Sequence, residues 1–135
     1  MELKPYVMRD ITPRMKWTVL FHADFVAEYD ALPEDVQDDL FARIGMLEEL
    51  GPELGRPTVD TLVASSFPNM KEIRFNCGGV WRSAFAFDPA RSAIVLCGGD
   101  KEDVDQKRFY KSLIELADAR FASHLGQIRQ KPKKA

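Results

Sequence analysis

Basic side chains and a tyrosine crowd the second half of this 135-residue sequence: Lys71, Arg74, Arg82, Lys101, Lys107, Arg108, Tyr110 and Lys111. Gathered on one surface, they would suit a phosphodiester. Cationic groups neutralise the charge that builds on a pentacovalent phosphate, and preorganised charge often contributes most to catalysis of this kind. A lysine or tyrosine with a displaced pKa would move the protons. The same residues would also serve as a solvated basic face with routine ion pairs, Glu72 beside Arg74 among them. Other chemistries find less support. There is no G-x-S-x-G nucleophile turn, and Gly98-Gly99-Asp100-Lys101 lacks the Gly-Lys-Ser/Thr ending of a phosphate loop. His22 and His124 are well separated and stand near no Cys/Asp cluster, so neither a metal nor a cofactor is expected. Cys77 and Cys97 form neither a disulfide framework nor a zinc-ligand spacing, and read as small apolar residues.

The elements that must position these side chains follow from periodicity. Lys16–Phe21 reads as a strand rich in β-branched and aromatic residues, followed by a short helix near Ala23–Tyr29. Pro33 opens the next helix, with Glu34 and Asp35 in its first turn. Val36, Leu40, Ile44 and Leu47 form its apolar stripe, and Gly51-Pro52 stops it. Residues 51–69 read as a long loop anchored by Leu54 and Leu62. Strands follow at Met70–Phe75, Val80–Phe87 and Ser92–Cys97, joined by turns at Asn76–Gly79 and Asp88-Pro89. Asp103–Gln106 resembles a capping box, opening a last helix that Gly126 ends. The order β-α-α-β-β-β-α implies an α+β fold, a twisted antiparallel sheet with helices packed on one face. The expected division is an N-terminal extension over 1–15, a single domain over 16–126 and a basic tail over 127–135.

Strand parity then sorts the candidates. Lys71 and Arg74 should point to opposite faces, whereas Glu72 and Arg74 share one. Arg82 should share a face with Ala84 and Ala86, small neighbours that would leave room for a bound group.

Charge is divided unevenly along the chain. Residues 1–69 hold six Lys/Arg against thirteen Asp/Glu, net −7, and residues 70–135 hold thirteen against eight, net +5. The basic half is therefore the candidate anion or nucleic-acid surface. The start is polar, and Ala93–Cys97 is the longest apolar run, far below the ~20 residues of a membrane span. The expectation is a cytoplasmic protein without a membrane partner.

Several short motifs, taken in order, resemble one family. They are Leu32-Pro33, Leu47–Pro52, Leu54–Pro57, Lys71–Arg74, Trp81-Arg82, Gly98–Lys101 and Arg108–Tyr110. Together they resemble the phage-derived HigB-like branch of the RelE/ParE toxin superfamily, from about Trp17 to Leu125. The resemblance implies a RelE-like fold and a type II toxin held in a hetero-oligomer by a cognate helix-turn-helix antitoxin. For the RelE and HigB groups it implies metal-independent cleavage of mRNA on the ribosome. There the 2′-OH attacks the neighbouring phosphate and leaves a cyclic phosphate and a 5′-OH. It assigns phosphate and transition-state contact to Arg74 and Arg82, and an electrostatic or proton-donating role to Lys101 or Lys107. Tyr110 would stack on a base or orient the 2′-OH, while Lys71, Lys107, Arg108 and Lys111 would contact RNA. Glu72 stands where related toxins often carry lysine, and the sequence pI of about 5.7 is low for a ribosome-directed protein. A ParE-like binder of DNA gyrase and a non-catalytic phage-derived interaction module are the alternatives.

Overall fold

The structure, a computed structural model, describes residues 16–130. The expected extension over 1–15 and the end of the basic tail lie outside them. Strand β1 (Thr18–Phe21) leads into helix α1 (Ala23–Asp30), whose first turn is capped by His22 Nδ1 accepting from Asp24 N–H at 3.1 Å. Helix α2 (Glu34–Leu50) follows, with Pro33 as its N-cap. It ends at Gly51, where φ is +54° and the Trp17 indole occupies the place a Cβ would take. A side chain there would need both a left-handed backbone and a displaced indole.

Strands β2 (Val59–Thr61), β3 (Met70–Asn76), β4 (Val80–Phe87) and β5 (Ser92–Asp100) complete a sheet of order β1-β5-β4-β3-β2, and helix α3 (Gln106–Gln130) closes the fold. The expected β3-β4-β5 meander is present. Two features differ from the expected sheet. First, β1 pairs with β5 in parallel, Thr18 opposite Ser92 through Phe21 opposite Val95, so the sheet is mixed. Helices α1 and α2 lie between the two strands in sequence, and this long crossover permits parallel pairing. Second, β2 lies within the segment read as loop. Three residues between Pro57 and a run of turns are too few to show alternation.

Helices cover both faces of the sheet, not one. On one face, Phe25 of α1 and Val36, Leu40, Ile44 and Leu47 of α2 pack on Ile73, Phe75, Phe85 and Val95. On the other, Leu113, Ala117 and Phe121 of α3 pack on Met70, Ala84, Ala86, Ile94 and Leu96. The reason lies in β4 and β5, which are apolar at nearly every position and so need cover on both sides. Ala84 and Ala86 let α3 approach closely. They are fully buried beneath it, so the room expected beside Arg82 is filled by the helix.

A β-bulge in β5 opposite Ala84/Phe85 leaves Leu96 without a partner and turns both Leu96 and Cys97 toward α3. The Arg120 Nη1 of α3 donates to the Leu96 carbonyl at 2.7 Å, and its guanidinium also grips both Glu28 oxygens of α1, at 2.9 and 2.6 Å. That grip holds the Glu28 carboxyl below the usual carboxylate range. Helix α3 is opened by Asp105, whose carboxylate accepts from Arg108 N–H at 2.9 Å. It continues through Gly126 to Gln130, so the expected stop at Gly126 is corrected. One helical glycine costs only about 1 kcal/mol and does not end a helix unaided. No helix among the described residues is long and apolar enough to cross a membrane.

Candidate functional site

The antiparallel register of β3 and β4 sets Arg74 directly opposite Arg82, and Glu72 opposite Ala84. Two like charges at such a position repel. Glu72 relieves this: it lies on the same side of β3 as Arg74 and is only 3% exposed. Its Oε2 accepts from Arg74 Nη1 at 2.8 Å, and its Oε1 accepts from the Tyr110 hydroxyl at 2.8 Å. Arg82 Nε lies 3.8 Å from the same Oε1 and donates to the Tyr110 oxygen at 3.2 Å, while its Nη1 donates to the Trp81 carbonyl at 2.8 Å. Arg82 is itself only 7% exposed. Charges at such depth persist only when paired and hydrogen-bonded, and here each satisfies the other.

Helix α3 delivers Tyr110 to this cluster one turn before Leu113 enters the core. Burial pushes the phenol pKa up, and the hydrogen bond and charge of Glu72 add to this against the opposing pull of Arg82. Tyr110 is therefore a protonated donor at neutral pH.

The remaining candidates are dispersed. Lys71 points to the opposite face, as parity required, and its Nζ donates to Thr61 Oγ1 across β2-β3 at 3.0 Å. Lys101 follows β5 directly and reaches Gln106 Oε1 at 3.3 Å rather than Glu72. Lys107, Arg108 and Lys111 lie on the first turns of α3, and all three are exposed. Lys107 and Lys111 line, with Tyr110, a groove of about 910 Å³ against Ala64 and Ser66, whereas Arg108 borders a separate hollow with Val104 and Leu116. The eight candidates thus yield one tight group, Arg74–Arg82–Tyr110, and two lysines beside it.

Sequence reasoning missed the centre of that group, Glu72, taking it as a neighbour in a routine ion pair. Its signal was a carboxylate two residues from an arginine on a strand, but only the arrival of α3 buries it. Also missed were Arg43 of α2 and Arg56 of the following loop. With Thr58, Arg74, Asn76 and Arg82 they line a second cleft of about 410 Å³. Neither belongs to the basic half of the chain. Among the described residues no group of three or more His, Cys, Asp or Glu side chains is placed to hold a metal ion. The Cys97 thiol is buried, and desolvation pushes its pKa up to about 12, so it is inert.

Comparison with known proteins shows the family. The model of the phage-derived protein Gp49-like family (DUF891) matches residues 27–122, a span that holds Glu72, Arg74, Arg82 and Tyr110. The chain belongs to this family. As a Gp49-like protein it has relatives in Mycobacterium tuberculosis: it is 49% identical over 90 residues to "Putative toxin HigB3", covering 67% of this chain and 77% of that one. It is 44% identical over 108 residues to "Putative toxin HigB2", covering 78% of this chain but only 53% of the longer relative. A mutant of Escherichia coli toxin RelE in its free state shares the fold, with a TM-score of 0.56 over 75% of this chain and 96% of that one, at 15% identity. The family resemblance and the RelE-like α+β fold read from the motifs are both borne out.

Proposed function

We propose that this Gp49-like chain is a HigB-like toxin of a type II toxin–antitoxin pair, acting in the cytoplasm as a metal-independent endoribonuclease on ribosome-bound mRNA. Its partners are then a cognate helix-turn-helix antitoxin, the ribosome and the message. The observation that carries the reading is the buried Glu72–Arg74–Arg82–Tyr110 cluster. A carboxylate, two guanidinium groups and a protonated phenol can supply the proton acceptor, the phosphate-neutralising charge and the proton donor for cleavage by a 2′-OH.

In this reading the phosphate exchanges with Glu72 for the donors of Arg74 and Arg82. Bidentate contacts between guanidinium and phosphate oxygens are among the strongest charge-assisted hydrogen bonds. Glu72 accepts the proton of the 2′-OH as its oxygen bonds to phosphorus. Tyr110 donates its proton to the departing 5′-oxygen and recovers one from Glu72, its hydrogen-bond partner. The products are a 2′,3′-cyclic phosphate and a 5′-OH. Lys107 and Lys111, beside Tyr110 on α3, hold the flanking RNA.

The test is induced expression followed by primer extension on cellular mRNA. Wild type should halt translation and leave discrete cleavage ends, and Arg82→Ala should relieve toxicity through a roughly 10²–10³-fold loss of cleavage. Intact transcripts together with blocked gyrase overturn the nuclease reading in favour of a ParE-like target.

A further inference from the structure

Strand β2 covers β3 only from Lys71 to Ile73. Beyond that point the edge of β3 is held by a bond from Arg74 N–H to the Thr58 carbonyl at 2.7 Å. The 410 Å³ cleft wraps around this edge and joins the two sides of the sheet. Arg74 and Arg82 reach it from the α3 side, Arg43 and Phe75 from the α2 side, and Arg56 from the loop before β2. Four guanidinium groups therefore converge here. Among the described residues, the carboxylates paired with them are those of Asp39, Asp60 and Glu72.

The two outer arginines are held in ways that are easily exchanged. Arg56 directs Nε and Nη2 at the same Asp60 oxygen, at 3.1 and 2.8 Å, and its side chain is 66% exposed. An ion pair in that setting is weak, and the same fork matches two oxygens of a phosphate. Arg43 makes its hydrogen bonds from Nη1 back to Asp39, and its guanidinium sits over the Phe75 ring, 5.4 Å from the centroid. Its Nε is buried without a hydrogen-bond partner among the described residues. Buried donors are rarely left unmet. A small turn of the guanidinium toward the cleft gives that donor an oxyanion to bond.

We propose that this cleft is a second phosphate subsite, in which Arg43 and Arg56 bind the phosphodiester adjoining the one held by Arg74 and Arg82. The inference rests on the nuclease reading and deepens it. RNA fits better than an acidic peptide because Arg74 and Arg82 belong to both sites, so neighbouring phosphates of one strand reach both. Asn76 and the Thr58 hydroxyl supply neutral hydrogen-bonding groups between them.

The experiment uses the full-length protein and a fluorescent hexaribonucleotide whose 2′-oxygens are methylated, which removes the nucleophile. Anisotropy titrations are run across a salt series for wild type, Arg56→Gln, Arg43→Gln and the double variant. Each single change should weaken binding about ten-fold and lower the salt slope by about 0.7, the value of one lost phosphate contact on a single strand. Arg56 is exposed, so its variant keeps the test valid if Arg43→Gln fails to fold, which circular dichroism reports. Unchanged affinity and slope in the Arg56 variant, or in a folded double variant, overturn the subsite. So does wild type that binds no oligonucleotide, or polyglutamate that displaces the RNA as well as RNA itself does. Primer extension judges the nuclease reading separately: cleaved messages with an unaltered Arg56→Gln titration sink the subsite alone.

Discussion

Glu72 and Asp88 are both buried carboxylates on sheet strands or their ends, and each meets a side chain from α3. They are satisfied in opposite ways. Asp88 Oδ1 accepts from the backbone N–H groups of Ala90 and Ser92, both at 2.9 Å, and so closes the β4-β5 hairpin, where Arg91 takes a φ of +64°. Its Oδ2 meets His124 Nε2 at 2.8 Å. The Glu72 carboxylate has no backbone donor among the described residues; its partners are the side chains of Arg74, Arg82 and Tyr110. Backbone donors fixed by a turn cannot turn to another ligand. Long side chains beside an open cleft can. One carboxylate therefore organises the fold, while the other can exchange its partners, as the proposed chemistry requires.

Neutralising each carboxylate in turn, without changing its shape, puts this contrast at greatest risk. Glu72→Gln should lower RNA cleavage about 10²–10⁴-fold, the usual worth of a positioned proton acceptor. The amide still bonds the tyrosine hydroxyl, but Arg74 and Arg82 lose their buried counter-charge, so stability falls as well and activity is read per folded molecule. Asp88→Asn should leave cleavage per folded molecule unchanged. Cleavage assays normalised to the folded fraction by circular dichroism decide it. An equal loss of activity in both variants abolishes the distinction.

Much of the frame around these two carboxylates is legible in the sequence. The stripe Val36, Leu40, Ile44 and Leu47 is local, spaced by one helical period, and all four residues are buried. The strand-turn-strand pattern from Met70 to Cys97 is equally local, and its register places Arg74 against Arg82. What stays hidden depends on contacts distant in sequence. The parallel seat of β1 beside β5, and the choice of face for α3, are set by which surfaces remain uncovered once the meander forms. The depth of Glu72 follows from that choice, since strand parity fixes its side of the sheet but not what covers it. Arg43 and Arg56 carry no signal at all, because they sit in an acidic half and approach Arg74 only when α2 and the loop wrap the sheet edge.

The structural half of the contrast has its own, smaller test. Asp88→Asn keeps one acceptor oxygen but turns a charged partner of two N–H groups and His124 into a neutral one. Hydrogen bonds to charged groups contribute about 1.5–3 kcal/mol each, so the variant should lose on the order of 2 kcal/mol in urea unfolding. Its urea midpoint should fall with little change in slope, since the surface exposed on unfolding is the same. A loss within about 0.5 kcal/mol of zero, the range of ordinary surface substitutions, removes Asp88 from its role in the hairpin.

A subtler consequence lies at alkaline pH and belongs to the Glu72 cluster alone. Burial and the Glu72 carboxylate raise the Tyr110 pKa above its unfolded value of about 10. The native state thus holds this proton more tightly than the unfolded chain does. Its contribution to stability is fully present below about 10, where both states are protonated. Above that pH the unfolded chain ionises first and is favoured, so stability falls until the pH passes the native pKa of Tyr110. Tyr29, whose pKa burial also raises, adds a limb of the same sign, so the measurement is a difference. Wild type and Tyr110→Phe are melted between about pH 9 and 11.5, a window set around the unfolded value, where the Tyr29 contribution cancels. Wild type should lose ~2 °C more than the variant across that window, on the scale of a fraction of a kcal/mol for a domain of this size. Parallel curves mean that the phenol does not face the carboxylate in solution, and the chemical role of Glu72 then loses its proton-donating partner.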